Sequence, residues 1–181
     1  PVPLDPANQK LASQLLDADP QVREDAMDAL LKLELAALPY LLEVFVDDAG
    51  EQRTRIAPLI GKVTRVRGPR GDSFDPAATK VLLEGLSHPS ATFRRGAAAD
   101  LLFAALSGRE KDRIIDALRT SHNDDDDKFV RAQAWKSLHF IAVDLIATQM
   151  LVDGVTETAL DGHFQTLVRI GEPALDILTT T

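Results

Sequence analysis

Apolar positions recur along this chain with a helical period, and the helices they predict come in pairs. Leu11, Leu15 and Leu16 follow one side of a helix that stops at Asp17-Ala18-Asp19-Pro20. Asp19 is a good N-cap and proline is tolerated at a first helical position, so a second helix is predicted to start at Pro20. Its apolar set, Val22, Ala26, Ala29, Leu30 and Leu33, falls at i, i+4, i+7, i+8 and i+11, one face of a helix. The same grammar predicts pairs over 6–17 with 20–33, 36–48 with 51–63, 75–86 with 90–106, 109–120 with 127–141, and 143–152 with 156–170. No stretch sustains an alternation of period two, so no strands are expected.

The pairs carry an internal repeat. An arginine followed by small and apolar residues recurs as Arg23 with Ala26 and Leu30, Arg53 with Ile56 and Ile60, Arg94 with Ala97 and Leu101, and Arg131 with Ala134 and Leu138. These arginines are 30, 41 and 37 residues apart. The widest gap contains a Gly/Pro/Arg-rich insertion at 64–75 that has no apolar period. The predicted units are 6–33, 36–63, 75–106, 109–141 and 143–170, with a terminal half-unit at 172–181, all within one repeat domain, 1–181. The segment from Ile170 to Leu178 aligns with Leu33 to Leu41 at a constant offset of 137, pairing Leu30 with Leu167 and Leu33 with Ile170. The array stops half a unit short at Thr181, which is expected of a fragment or of a terminal cap whose exposed face another surface covers. In the fifth unit Leu160 stands in the arginine column and His163 replaces the first core alanine.

Asp-Pro-x-Val-Arg-x-x-Ala-x-x-Ala-Leu at 19–30, Phe-Val-Arg-Ala-Gln-Ala-Trp-Lys-Ser-Leu at 129–138 and Ile-Gly-Glu-Pro-Ala-Leu at 170–175 resemble HEAT repeats, in the short bacterial form also found in the phycobilisome-lyase-like group. The resemblance covers nearly the whole chain. It implies an all-α fold, a right-handed α-solenoid of about five stacked antiparallel helix pairs with the second helix of each pair lining a concave face. A single pair of this length cannot bury enough surface alone, which independently favours stacking. The resemblance also implies a ladder of ion pairs between adjacent repeats, with Asp19, Arg23, Arg53, Arg94, Asp127 and Arg131 in its positions. His88-Pro89-Ser90 stands where the third unit's acid is expected.

Composition narrows the function classes. Forty-five per cent of the residues are apolar, enough for a packed core, and there is no cysteine, which excludes disulfides, thiol catalysis and cysteine-ligated zinc. The four histidines are not spaced as a metal set, and the acidic run Asp124 to Asp127 lacks the spaced ligands and central glycine of a calcium loop, so neither metal nor cofactor is expected. That run is predicted to be a turn whose acids favour the start of the following helix. There is no Gly-x-Ser-x-Gly and no P-loop, and no enzyme is expected. Nothing at the start reads as a signal peptide, and the most apolar stretch, 138–152, is too short to span a bilayer. The expectation is a cytoplasmic protein that does not enter membranes.

The net charge of −8 argues against a broad nucleic-acid surface. It is an average over two acidic segments that flank a basic island. Residues 51–70 carry one acid and six bases, namely Arg53, Arg55, Lys62, Arg65, Arg67 and Arg70, the last three on a Gly-Pro loop. Loops on a rigid scaffold often carry function, so these six are the candidate partner-binding residues. The bland alternative is a solvated insertion beside one ladder arginine. Down the concave columns, Glu24, Asp25, Asp28 and Lys32 give way to Thr54, Arg55, Pro58 and Lys62, then to Arg95, Gly96, Ala99 and Phe103, and then to Ala132, Gln133, Lys136 and Phe140. Such a graded groove suits a protein or peptide partner better than a phosphate backbone. The expectation is therefore a non-enzymatic scaffold or adaptor. A nucleic-acid binder or enzyme resembling the HEAT-like DNA glycosylases and a bilin-lyase-like chaperone subunit are the alternatives. Trp135 is expected in inter-helix packing, and Pro58 is expected to kink or shorten its helix.

Overall fold

The computed structural model describes residues 5–44, 50–68, 71–108, 110–151 and 166–171. The chain is predominantly helical: α1 (Pro6–Gln14), α2 (Pro20–Leu31), a 3-10 turn (Glu34–Ala37), α3 (Leu38–Glu43), α4 (Gly50–Val63), α5 (Pro76–Gly85), α6 (Ala91–Leu106), α7 (Lys111–Asp124) and α8 (Lys128–Leu151). It divides into two compact units, 1–97 and 98–181. No helix among the described residues is long and apolar enough to cross a membrane.

The helix starts follow from capping chemistry. In α1, α2 and α5 an aspartate at N-cap precedes a proline in the first turn. The Asp5 carboxylate accepts from the Ala7 N–H at 2.7 Å, Asp19 from Gln21 at 2.8 Å, and Asp75 from Ala77 at 2.8 Å. Each acceptor satisfies an N–H that has no partner inside the helix, and proline has no N–H to strand there. In α3, Pro39 likewise occupies the first turn. Pro58 lies inside α4, yet the helix runs unbroken to Val63 with Pro58 facing solvent, so the expected shortening does not occur.

In the first unit α1 packs on α2 and α3, and α4 packs on α2 and α3. Leu30, Leu38, Leu41, Leu42, Ile56 and Ile60 are fully buried there. The Asp5 N–H donates to the Tyr40 hydroxyl at 3.1 Å, tying the start of α1 to α3. Gly85, the last residue of α5, sits so close to α6 that a Cβ placed on it would lie 2.8 Å from the Phe93 ring and 3.2 Å from Ala97. In the second unit α7 packs along α8. Val130, Ala134, Leu138, Ile141 and Leu145 form one buried stripe on α8 against a core that includes Ile114, Ile115 and Leu118. The Ser137 hydroxyl, itself fully buried, donates to the Ala98 carbonyl at 2.8 Å.

Two sequence expectations fail. The helices predicted over 127–141 and 143–152, the second of one pair and the first of the next, are one helix, α8, because nothing between Phe140 and Val143 breaks a helix and the buried stripe continues through Ala142 to Leu145. The insertion contains a strand pair where none is expected: β1 (Arg65–Gly68) and β2 (Gly71–Phe74) are antiparallel, with Arg65 opposite Phe74 and Gly68 opposite Gly71. Each strand has only four residues, too few for a period to register. Of the last predicted pair, residues 166–170 are helical, and 152–165, with His163 and Leu160, lie outside the described residues, as does the half-unit 172–181.

Candidate functional site

The candidate site is the base of the β1–β2 hairpin, and several features fix that base. Phe74 is buried, and the Asp75 N–H donates to the Thr64 carbonyl at 2.7 Å, extending the strand pairing by one step. The buried Thr64 hydroxyl donates to the Ile60 carbonyl at 2.8 Å, securing the end of α4. Asp75 in turn caps α5. The hairpin is thus joined to two helices by hydrogen bonds and an aromatic anchor.

Beside this base lies an open pocket of about 360 Å3, lined by Leu31, Glu34, Leu35, Lys62, Val63, Arg65 and Asp75. Of the six basic-island residues, the pocket brings together Lys62 at the end of α4 and Arg65 at the start of β1. Arg53 and Arg55 lie on α4 and Arg67 on β1 opposite Asp72; Arg70 lies outside the described residues. The remaining lining residues carry no signal in the apolar period or in the charge island, and Glu34 and Asp75 bring negative charge to a site expected to be basic. Among the described residues, neither Lys62 nor Arg65 is within ion-pair distance of Glu34 or Asp75. Opposite charges therefore share the pocket without pairing with one another.

Glu34 also has a special backbone. Its φ is 50°, in the left-handed region, where a side chain is strained by about 1–2 kcal/mol. The alignment at offset 137 places Gly171 at the equivalent position, and Gly171 has φ 78°. Glycine meets that backbone requirement without strain. Comparing Glu34 with Gly171 along that alignment is the one sequence signal that could have singled out Glu34.

The arginines of the repeat have a clear placement. The Arg23 Nη1 donates to the Asp17 and Ala18 carbonyls, both at 2.7 Å. Arg94 donates to His88 and Pro89 at 3.0 and 3.1 Å, and Arg131 to Asp125 and Asp126 at 2.7 and 3.1 Å. In all three turns the acceptors are the carbonyls six and five residues back. Of the acids in the expected ladder positions, Asp19 and Asp127 are helix N-caps, and Asp127 accepts from Phe129 and Val130 at 2.8 and 3.0 Å. The third unit performs the same turn with other atoms. Ser90 Oγ replaces the capping carboxylate, accepting from Phe93, and His88 Nδ1 accepts from the Ser90 N–H where Asp17 and Asp125 accept from Asp19 and Asp127. The acceptors that Arg53 would need, 47 and 48, lie outside the described residues.

Other candidates fall into structural places. Trp135 is half-buried and stacks on His139 of the same helix, ring centroids 5.1 Å apart. Of the expected groove positions, Gly96 and Gln133 are buried, whereas Phe103 and Phe140 are 50% and 54% exposed. Among the described residues no three His, Asp or Glu side chains are grouped to hold a metal.

No protein-family model matches the chain. No curated protein matches it either. Among solved structures, the chain is similar to an engineered protein at 16% identity and a TM-score of 0.36, with 94% of this chain and 77% of that one covered.

Proposed function

We propose that this chain is a non-enzymatic helical-repeat module of the HEAT type, a right-handed solenoid that binds a protein or peptide partner in the cytoplasm through its hairpin and the adjoining pocket. The observation that carries the reading is the pocket itself, an open concavity in which Lys62 and Arg65 line the same space as Glu34 and Asp75, beside Leu31, Leu35 and Val63. Polar groups that converge on one concavity give a recognition site its orientation and specificity. The repeat reading draws support from the turn built three times around Arg23, Arg94 and Arg131.

The test is affinity capture with the wild-type chain and with the triple variant Arg65→Glu, Arg67→Glu and Arg70→Glu, checked by circular dichroism for an unchanged fold. A partner retained by the wild type should be lost by the variant, with a fall in affinity of about tenfold or more, which corresponds to 1.4 kcal/mol or more of lost interaction. Equal retention of the same partner by both proteins would refute a role for the hairpin. A gel shift at low salt that vanishes in the variant would instead establish nucleic acid as the ligand.

A further inference from the structure

We infer that the pocket beside the hairpin binds a small zwitterion, a free α-amino acid with an apolar side chain, with Glu34 holding the ammonium and Lys62 and Arg65 holding the carboxylate. The inference deepens the pocket reading above and rests on it.

The retention of Glu34 is the first ground. Its left-handed backbone is satisfied by glycine at the equivalent position, Gly171, so the local fold does not call for a side chain there. A strained residue that the fold does not require points to work done by its side chain, and Glu34 lines the pocket. Charge pattern is the second ground. A lone anion entering the pocket meets Lys62 and Arg65 favourably but is repelled by Glu34, and a lone cation meets the reverse. A ligand bearing both signs a few bonds apart satisfies all three. Asp75 already accepts from the Ala77 N–H as the cap of α5, whereas Glu34 caps no helix and is the acid offered to an ammonium. Size and lining are the third ground. About 360 Å3 lies at the small end of ligand pockets, and Leu31, Leu35 and Val63 supply an apolar wall for an aliphatic side chain.

The experiment is a titration of the 15N-labelled chain, following the amide signals of Leu35 and Val63, with leucine, N-acetyl-leucine, leucinamide, and an acetylated, amidated Glu-Leu-Lys tripeptide. Leucine should give saturable shifts. N-acetyl-leucine and leucinamide, each lacking one charge, should bind about tenfold more weakly, as loss of one charge-assisted contact implies. Glu34→Gln, which keeps the shape and removes the charge, should lower leucine affinity to the level of N-acetyl-leucine. Glu34→Gly should do the same in a chain whose fold the Gly171 precedent supports. N-acetyl-leucine binding as tightly as leucine, an unchanged leucine affinity in Glu34→Gln, or no saturable shift with leucine would each overturn the inference. Binding of the tripeptide in place of leucine would overturn it too and would assign the pocket to side chains of a partner. If leucine fails while the hairpin triple variant still loses its captured partner, the amino-acid inference falls alone and the partner reading stands.

Discussion

Arg131→Ala tests what the arginine column does. The guanidinium donates to the Asp125 carbonyl at 2.7 Å in a part-buried setting and to the Asp126 carbonyl at 3.1 Å in an exposed one. A hydrogen bond from a charged donor contributes about 1.5–3 kcal/mol when buried. Solvent reduces that to about 1.5 kcal/mol for the first bond and about 0.5 kcal/mol for the second. The cation also sits at the C-terminal end of α7, where Asp125 is the C-cap, and this adds about 0.3–1 kcal/mol. The expected loss is therefore about 2–3 kcal/mol. Arg131→Lys keeps the charge but not the planar fork or the full reach, and should lose about 1 kcal/mol. The comparison variant is Arg113→Ala. Its partner Glu110 is also 2.7 Å away, but the two side chains are 67% and 39% exposed, so its loss should stay below about 0.5 kcal/mol. Urea unfolding reads each value as a change in midpoint at constant slope. In thermal unfolding the Arg131→Ala loss corresponds to a fall of roughly 5–10 °C for a chain of this size. If Arg131→Ala and Arg113→Ala unfold within about 0.5 kcal/mol of each other, the repeated arginine is a surface charge and its bonds to the turn carbonyls do not hold the turn.

Two further substitutions are decided by the geometry. Gly85→Ala gains about 1 kcal/mol of helix propensity but sets a methyl 2.8 Å from the Phe93 ring, so the net effect should be a loss of about 1–2 kcal/mol in urea unfolding; a stabilised variant would show that α6 yields at this contact. Glu34→Gly releases left-handed strain of about 1–2 kcal/mol and gives back up to about 1 kcal/mol through the looser unfolded chain, so thermal unfolding should show a gain of about 0.5–1 kcal/mol. A loss of stability there would mean that the Glu34 side chain supports the fold and is not held for a ligand.

Much of the helical framework was legible because capping and periodicity are local. Asp19-Pro20 announces the start of α2, and Asp5-Pro6 and Asp75-Pro76 repeat the announcement. The arginine repeat was equally visible, but its bonding was not. Arg23, Arg94 and Arg131 bond backbone carbonyls, which every residue carries and no sequence pattern marks. The same blindness explains His88. Read by residue type it interrupts a column of acids, yet its Nδ1 accepts the N–H that Asp17 and Asp125 accept in their turns. What the repeat preserves is an acceptor at one place, and carboxylate and imidazole both supply it.

The candidate site shows where local reading stops and comparison within the chain takes over. Charge counting led to Lys62 and Arg65, because like charges close in sequence stay close in space at the end of a helix and the start of a strand. It did not lead to Glu34, which lies on the far side of the pocket in sequence and has the opposite sign. The sign of a φ angle is not written in any one residue type, since glutamate gives no warning of a left-handed backbone. It becomes legible only when the chain is laid over itself and Glu34 falls on Gly171. An internal repeat thus serves as its own control: where two aligned positions share a left-handed φ and one of them is glycine, the side chain at the other is the part the backbone does not need. That difference directs attention to Glu34, ahead of the more conspicuous run of arginines, as the residue that sets what the pocket accepts.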